Sequence, residues 1–146
     1  MAGEEAVVRT VYDAFNDRDF DRALSVVSDD AEWTNVPTGE TLRGRDGLRQ
    51  FLQVWDGAFP EGRIDVSSVK TGEGFAVVEF VGRGTNSGSL KTPAGDLPPT
   101  NRSVELRFCD VIEVSDGRIS GGRTYWDMAS LMTQLGMMPE PPPAAG

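Results

Sequence analysis

The sequence contains no histidine, and that one absence removes whole chemistries. Without imidazole there is no Ser-His-Asp triad, no Cys-His pair and no His-ligated zinc or iron. Proton transfer must fall to a carboxylate, a tyrosine, a lysine or the single cysteine. Cys109 stands alone, so no internal disulfide can form and stability must come from a packed core. Basic residues are also scarce: 14 Lys and Arg against 23 Asp and Glu leave a net charge of −9. Such a field repels phosphate backbones and anionic surfaces, so no nucleic-acid partner is expected. No apolar run approaches the roughly 18 residues needed to cross a bilayer, and no membrane partner is expected either. The opening Met-Ala-Gly-Glu-Glu lacks the basic start and apolar stretch of a secretory leader, which makes the cytoplasm the expected compartment.

What is present suits one modest fold. A chain of 146 residues is about one ordinary domain long. We expect residues 1–138 to form it, with the Pro-rich 139–146 as a loose tail. Nucleotide motifs fail: the run Gly82-Arg-Gly84-Thr-Asn-Ser87 breaks the G-x-G-x-x-G pattern at its last position, and no P-loop or G-x-S-x-G elbow exists. No cofactor and no metal are expected.

Helical spacing of Val8, Val11, Tyr12 and Phe15 predicts a helix over 4–16, with Glu4 and Glu5 in its first turn where the helix dipole favours them. A shorter helix follows from Asp19 through Val27. Residues 31–36 alternate as a strand up to Pro37, and Gly39 and Gly44 mark a loop. Leu48, Phe51, Leu52 and Trp55 then make the apolar stripe of a third helix over 45–55, behind a candidate Asp46 cap. The second half changes character. Segments 64–70, 75–85, 102–115 and 118–126 are rich in Val, Ile, Phe and Tyr and predict four successive strands. Asp116-Gly117 is a two-residue hairpin signal, and Met128 to Leu135 close the pattern with a short helix. Residues 84–101 form a long Gly, Pro and Ser-rich stretch, a lid or a loose hairpin tip. The fold class expected is α+β: helices packed on one face of a curved antiparallel or mixed sheet, leaving a cone-shaped cleft.

Unbroken alternation back from the Asp116-Gly117 turn sets Ser115 opposite Arg118, Asp110 opposite Arg123, Phe108 opposite Tyr125 and Leu106 opposite Asp127. All six partners of the last three pairs share an apolar face with Val104, Ile112, Val114 and Ile119. Two carboxylates, a guanidinium and a phenol on a greasy face need a reason. Asp110 and Arg123 can form a cross-strand ion pair, and Asp127 can cap the last helix. Read functionally, Asp127, Asp110 and Arg123 are candidate catalytic residues, with Tyr125 orienting a ligand. Trp33 and Asn35 share a strand face and are candidates for the cleft wall, together with Phe108 and Trp55; Phe51, Trp55 and Phe59 also serve as plain core. Glu79 has apolar neighbours on either face and cannot be oriented.

The order of elements, with Tyr12-Asp-Ala-Phe-Asn-Asp-Arg-Asp19 near the start and Asp116-Gly-Arg-Ile119 and Arg123-Thr-Tyr-Trp-Asp127 near the end, resembles the nuclear transport factor 2-like superfamily over about residues 4–138. Within it, Gly84-Thr-Asn-Ser-Gly88, Pro98-Pro-Thr-Asn-Arg102, the Trp126-Asp127 pair and Gln134-Leu-Gly136 are similar to segments of SnoaL-like polyketide cyclases. That resemblance implies a cone-shaped α+β barrel, a homodimer built through the outer sheet face, and Asp127 as acid/base for an intramolecular aldol closure of a small hydrophobic, polyketide-like substrate. Asn86 then stands where those cyclases usually carry histidine, a substrate-contacting position. Trp33-Thr-Asn35-Val-Pro37 resembles the Tyr-x-Asn segment of limonene-epoxide hydrolases, whose Arg-x-Asp pair falls here on Phe80 and Gly82. Against ketosteroid isomerases, Asp110 matches the oxyanion-hole acid, their tyrosine falls on Val11 and their base on Asn35. The expectation is therefore a cofactor-independent acid/base cyclase or isomerase. Epoxide opening and a non-catalytic ligand-binding or dimerisation module are the alternatives.

Overall fold

A computed structural model describes residues 3–139, so most of the expected tail, 140–146, lies outside the described residues. In chain order the elements are α1 (Glu4–Asn16), α2 (Phe20–Leu24), β1 (Val27–Asn35), β2 (Glu40–Arg43), α3 (Gly44–Ala58), β3 (Arg63–Gly72), β4 (Phe75–Thr85), β5 (Leu90–Thr92), β6 (Gly95–Leu97), β7 (Ser103–Ser115), β8 (Arg118–Trp126) and α4 (Met128–Gln134). Helix α1 carries its acidic residues in the first turn and buries Val7, Val8, Tyr12, Ala14 and Phe15, the stripe its spacing requires. The expected Asp46 cap is not used. α3 begins two residues earlier, at Gly44 with φ +69, after an Arg43 N-cap whose side chain makes no capping bond.

Six strands form one curved, unclosed sheet in the order β2-β1-β8-β7-β4-β3, and β5 and β6 form a separate small hairpin. Neighbours run antiparallel except β1 and β8, which are parallel, so the sheet is mixed. Helix α1 packs on β3, β4 and β8, and α3 on β1 and β2; both helices therefore cover the same, concave face. Between helices and sheet lies the main core, with Val8, Val27, Val78, Ile112 and Ile119 almost wholly enclosed. Three strands that the loop signals concealed are β2 and the two of the β5–β6 hairpin. The latter is no open lid: Leu90 is buried against a second cluster with Phe59, Leu106 and Leu131.

The decisive feature lies between β7 and β8. Asp116 and Gly117 take φ +54 and +74, the left-handed pair of a tight hairpin turn, and Ser115 does oppose Arg118. Val114 still opposes Ile119, but Glu113 opposes Gly121, so Ser120 is an extra residue bulged out of the ladder. Beyond it the pairs are Val111 with Arg123, Asp110 with Thr124, Cys109 with Tyr125 and Phe108 with Trp126. A one-residue slip exchanges the faces of everything that follows. Thr124 and Trp126 turn inward; Arg123 and Tyr125 turn out. Gly121 and Gly122 make room for the distortion, since a β-carbon at Gly122 would sit 2.5 Å from the Trp33 ring and 2.7 Å from the Val111 carbonyl oxygen.

Deleting Ser120 should remove the bulge and leave the register beyond it unchanged, because Ile119 then leads directly to Gly121 and Thr124 still opposes Asp110. A thermal melt followed by circular dichroism should show a cooperative transition for the deletion variant; its loss would contradict this register, because deleting a residue from an unbroken strand exchanges the faces of all that follows.

Candidate functional site: a buried carboxyl beside an aromatic cavity

Register places Asn35, Thr124, Asp110 and Val78 in one row across β1, β8, β7 and β4, all on the concave face. Asp110 is only 5% exposed. Its Oδ2 accepts a hydrogen bond from Tyr12 Oη at 2.6 Å, and its Oδ1 accepts one from Thr124 Oγ1. No Arg or Lys pairs with it among the described residues. Burial without a cation pushes its carboxyl from the usual 3.8 up to about 7, against the pull of the two hydrogen bonds, which favour the ion. The same burial, with the Asp110 charge beside it, raises Tyr12 well above its ordinary value, so the phenol remains a donor. The result is a carboxyl poised to gain or lose a proton near neutrality, tied through Tyr12 to helix α1.

Two cavities adjoin here, and the inner one reaches this group. The outer one holds about 650 Å³ of space, part of it open to solvent, and is walled by Phe15, Trp55, Phe59, Phe80, Phe108 and Leu131 among others. Phe80 and Phe108 stack at 4.8 Å, and Trp55 meets Phe108 edge-on at 5.4 Å. Glycine at 82 and 84, on the inward face of β4, keeps the floor low; a β-carbon at Gly82 would already lie 3.1 Å from the Phe108 ring. The inner cavity contains Asp110, Tyr12, Trp33 and Leu48, and it shares Phe15, Phe51, Leu52 and Ile64 with the outer one. Among the described residues no three His, Cys, Asp or Glu side chains converge as a metal site.

The residues singled out in the sequence separate into two groups. Asp110, Trp33, Phe108 and Trp55 stand at the cavities, and Asn35 is buried in the same polar row. Asn35 Oδ1 accepts from Trp126 Nε1 at 2.8 Å, which fixes the amide with its NH2 as the remaining donor. The others lie elsewhere. Arg123 is turned to the outer face, where its Nε donates to Tyr125 Oη at 3.2 Å and its Nη1 lies 3.9 Å from Glu113. Tyr125 is 42% exposed. Neither meets Asp110, because the Ser120 bulge reverses their facing. Asp127 is exposed, and its carboxylate caps α4 by accepting from Ala129 N at 3.0 Å. The expectation of Asp127 in a dry cleft is thus corrected: the same slip carries position 127 past the end of β8 into a helix cap. Asn86 is buried, but its side chain is consumed at the base of the loop. Its Nδ2 donates to the Ala58 and Gly88 carbonyls, and its Oδ1 accepts from Thr100 N and Oγ1. Glu79 is exposed on the outer face.

Tyr12 and Thr124 are the site residues that sequence reasoning missed. Tyr12 left a signal: a phenol on the core stripe of an amphipathic helix needs an acceptor, and Asp110 on the apolar sheet face needed a donor. The phenol beside Asp110 therefore comes from position 12, adjacent to the Val11 at which the ketosteroid isomerase likeness set its tyrosine. Thr124 was hidden by the bulge, for which Ser120-Gly121-Gly122 inside a strand was the available cue.

A curved, unclosed mixed sheet covered by helices on its concave face defines the nuclear transport factor 2-like class of folds, and solved structures agree. A candidate SnoaL-like polyketide cyclase from Jannaschia sp. CCS1 superposes with a TM-score of 0.78 at 18% identity, over 91% of this chain and 91% of that one. IdmH, a candidate polyketide cyclase from Streptomyces antibioticus, matches at 0.74 and 25%, over 90% and 97%. An NTF2-like protein of unknown function from Burkholderia pseudomallei K96243 matches at 0.72 and 24%, over 92% and 98%. The sequence narrows the class. Residues 8–121 match the SnoaL-like domain family, and the chain belongs to that family.

Asp110 makes stability pH-dependent. At low pH its carboxyl is neutral folded or unfolded and costs nothing. As pH rises from the unfolded value of about 4 through the folded value of about 7, only the folded state resists ionisation, so stability is lost across that window. Asp110→Asn should remove this loss, reducing the decline by a few kcal/mol, at about 1.4 kcal/mol per pKa unit. Urea unfolding of parent and variant at several pH values checks it; parallel profiles would contradict it.

Proposed function

We propose that the protein is a cofactor-independent cyclase or isomerase acting on a small hydrophobic carbonyl compound, with Asp110 as its acid/base. The observation that carries this reading is a carboxyl 5% exposed, unpaired with any cation among the described residues, held by Tyr12 and Thr124 and opening on an apolar cavity. Family membership and neighbours named as candidate polyketide cyclases support the same reaction class.

In the proposed reaction the Asp110 carboxylate takes a proton from the carbon alpha to a substrate carbonyl, and the electron pair moves to that carbonyl oxygen. Once neutral, Asp110 is a weaker acceptor, and the Tyr12 O–H is released to bond the enolate oxygen. The enolate carbon then adds to a second carbonyl carbon of the same molecule. The electrons of that second C=O bond pass to its oxygen, which takes the proton back from Asp110. No atom is gained or lost, so no co-reactant is needed. Apolar walls from Trp33, Phe51 and Ile64 around Asp110 keep the charge transfer out of water, where it would be screened.

Deuterium exchange at the α-carbon of 2-tetralone, a neutral bicyclic ketone, isolates the first step. Parent protein in D2O should accelerate exchange with a rate that climbs as pH rises through about 7. Asp110→Asn should lower the acceleration by about 10²- to 10⁴-fold while keeping a cooperative melt. Asp127→Ala should lose about 1 kcal/mol of stability with its cap and keep the exchange rate. Exchange that survives in Asp110→Asn, or vanishes in a folded Asp127→Ala, would return the role to Asp127.

A further inference from the structure

The inner cavity is lined by a second residue with a polar group that the reaction above does not use. Trp33 is 6% exposed, and its Nε1–H has no hydrogen-bond partner among the described residues. Buried indole donors normally find one, and Trp126 shows it here by donating to Asn35. Trp33 is held in place. Its benzo half lies against Gly122, and Phe51 packs beside it with ring centroids 6.3 Å apart. The N–H therefore cannot swing away to seek solvent. A phenylalanine would offer similar apolar packing without an unsatisfied donor, so packing alone does not account for the indole.

The cavity's polar inventory is short. Both Asp110 oxygens are engaged by Tyr12 and Thr124, and Tyr12's only hydroxyl is spent on Asp110. Trp33 Nε1–H is the free donor among the side chains named at this cavity. An indole N–H donates and never accepts, so it selects an oxygen acceptor; a chain of net charge −9 with a carboxyl in the same cavity disfavours an anionic one. A neutral ketone or ester carbonyl remains. Ring closure also presents two carbonyl oxygens, and Tyr12 serves one.

We infer that Trp33 Nε1–H is a substrate-binding donor, holding a carbonyl oxygen of a neutral substrate in the inner cavity. The inference rests on the carbonyl reading of Asp110 and adds the residue that orients the second oxygen.

Two probes of nearly equal shape test it: cyclohexanone, and methylenecyclohexane, which replaces C=O by C=CH2. In 15N-labelled protein, cyclohexanone should move the Trp33 indole N–H resonance downfield and methylenecyclohexane should not. Trp33→Phe, which assigns the resonance by its loss, should weaken the ketone-over-hydrocarbon preference about three- to tenfold, the worth of one hydrogen bond. If that variant does not fold, assignment by elimination with Trp55→Phe and Trp126→Phe leaves the parent titration to decide. A ketone that binds without moving Trp33, or a preference unchanged in Trp33→Phe, overturns the inference and reduces the donor to one satisfied by water. No binding of either probe overturns it as well. The Asp110 reading is judged separately, by tetralone exchange in the parent, which does not depend on Trp33's resonance.

Discussion

One inserted residue governs what this protein can do. Ser120 bulges from β8, and from that point each side chain of the strand faces opposite to where strict alternation would send it. Because side chains alternate with a period of two, the slip is all-or-none. Thr124 reaches Asp110 and Trp126 reaches Asn35, while a guanidinium and a phenol are delivered to the outer face. The glycines at 121 and 122 permit it sterically, and the Trp33 ring fills the space that Gly122 vacates. Core, cavity and candidate chemistry all follow from that local geometry.

The second constraint is electrostatic. Asp110 is a carboxyl without a cation in a largely apolar interior, so burial and hydrogen bonding oppose each other there. Burial disfavours the ion; Tyr12 and Thr124 favour it; burial is the larger effect. A salt bridge to Arg123 would have held the carboxyl ionised and inert at neutral pH. Sending Arg123 outward leaves the carboxyl able to change charge near neutrality, and the Tyr12 bond makes α1 a wall of the same cavity. The remaining lining of the inner cavity is apolar and mostly aliphatic, with Phe15, Trp33 and Phe51 among it, and no other charged group stands beside Asp110 there.

The sequence carried the secondary structure well wherever periodicity was strong. The helices at 4–16 and 128–134, the strand at 75–85 and the Asp116-Gly117 turn all stand where spacing and turn chemistry predicted them. The α+β class and the concave cleft followed. Short elements were lost: β2, with four residues, and the β5–β6 hairpin read as loop because too few residues repeat to show a period. The site was half legible. Asp110 declared itself as a charge on an apolar face, and Trp33 and Asn35 as an inward pair, since these depend on alternation within unbroken stretches of strand. Arg123, Tyr125 and Asp127 were misplaced together, from the single cause that a bulge leaves no mark on hydrophobic alternation unless Gly-Gly is read as one. Asn86 was misjudged for another reason: a motif position does not reveal that Ala58, Gly88 and Thr100 already claim every polar atom of its amide.

The proposed chemistry requires Asp110 to be a desolvated, cation-free carboxyl in the folded protein. Carbon-13 chemical shifts of its side-chain carboxyl, followed across pH in the native state, read that property atom by atom. The structure requires a midpoint near 7. A midpoint close to the ordinary 3.8 would mean that water or a cation reaches the group, and the proposed chemistry would lose its base.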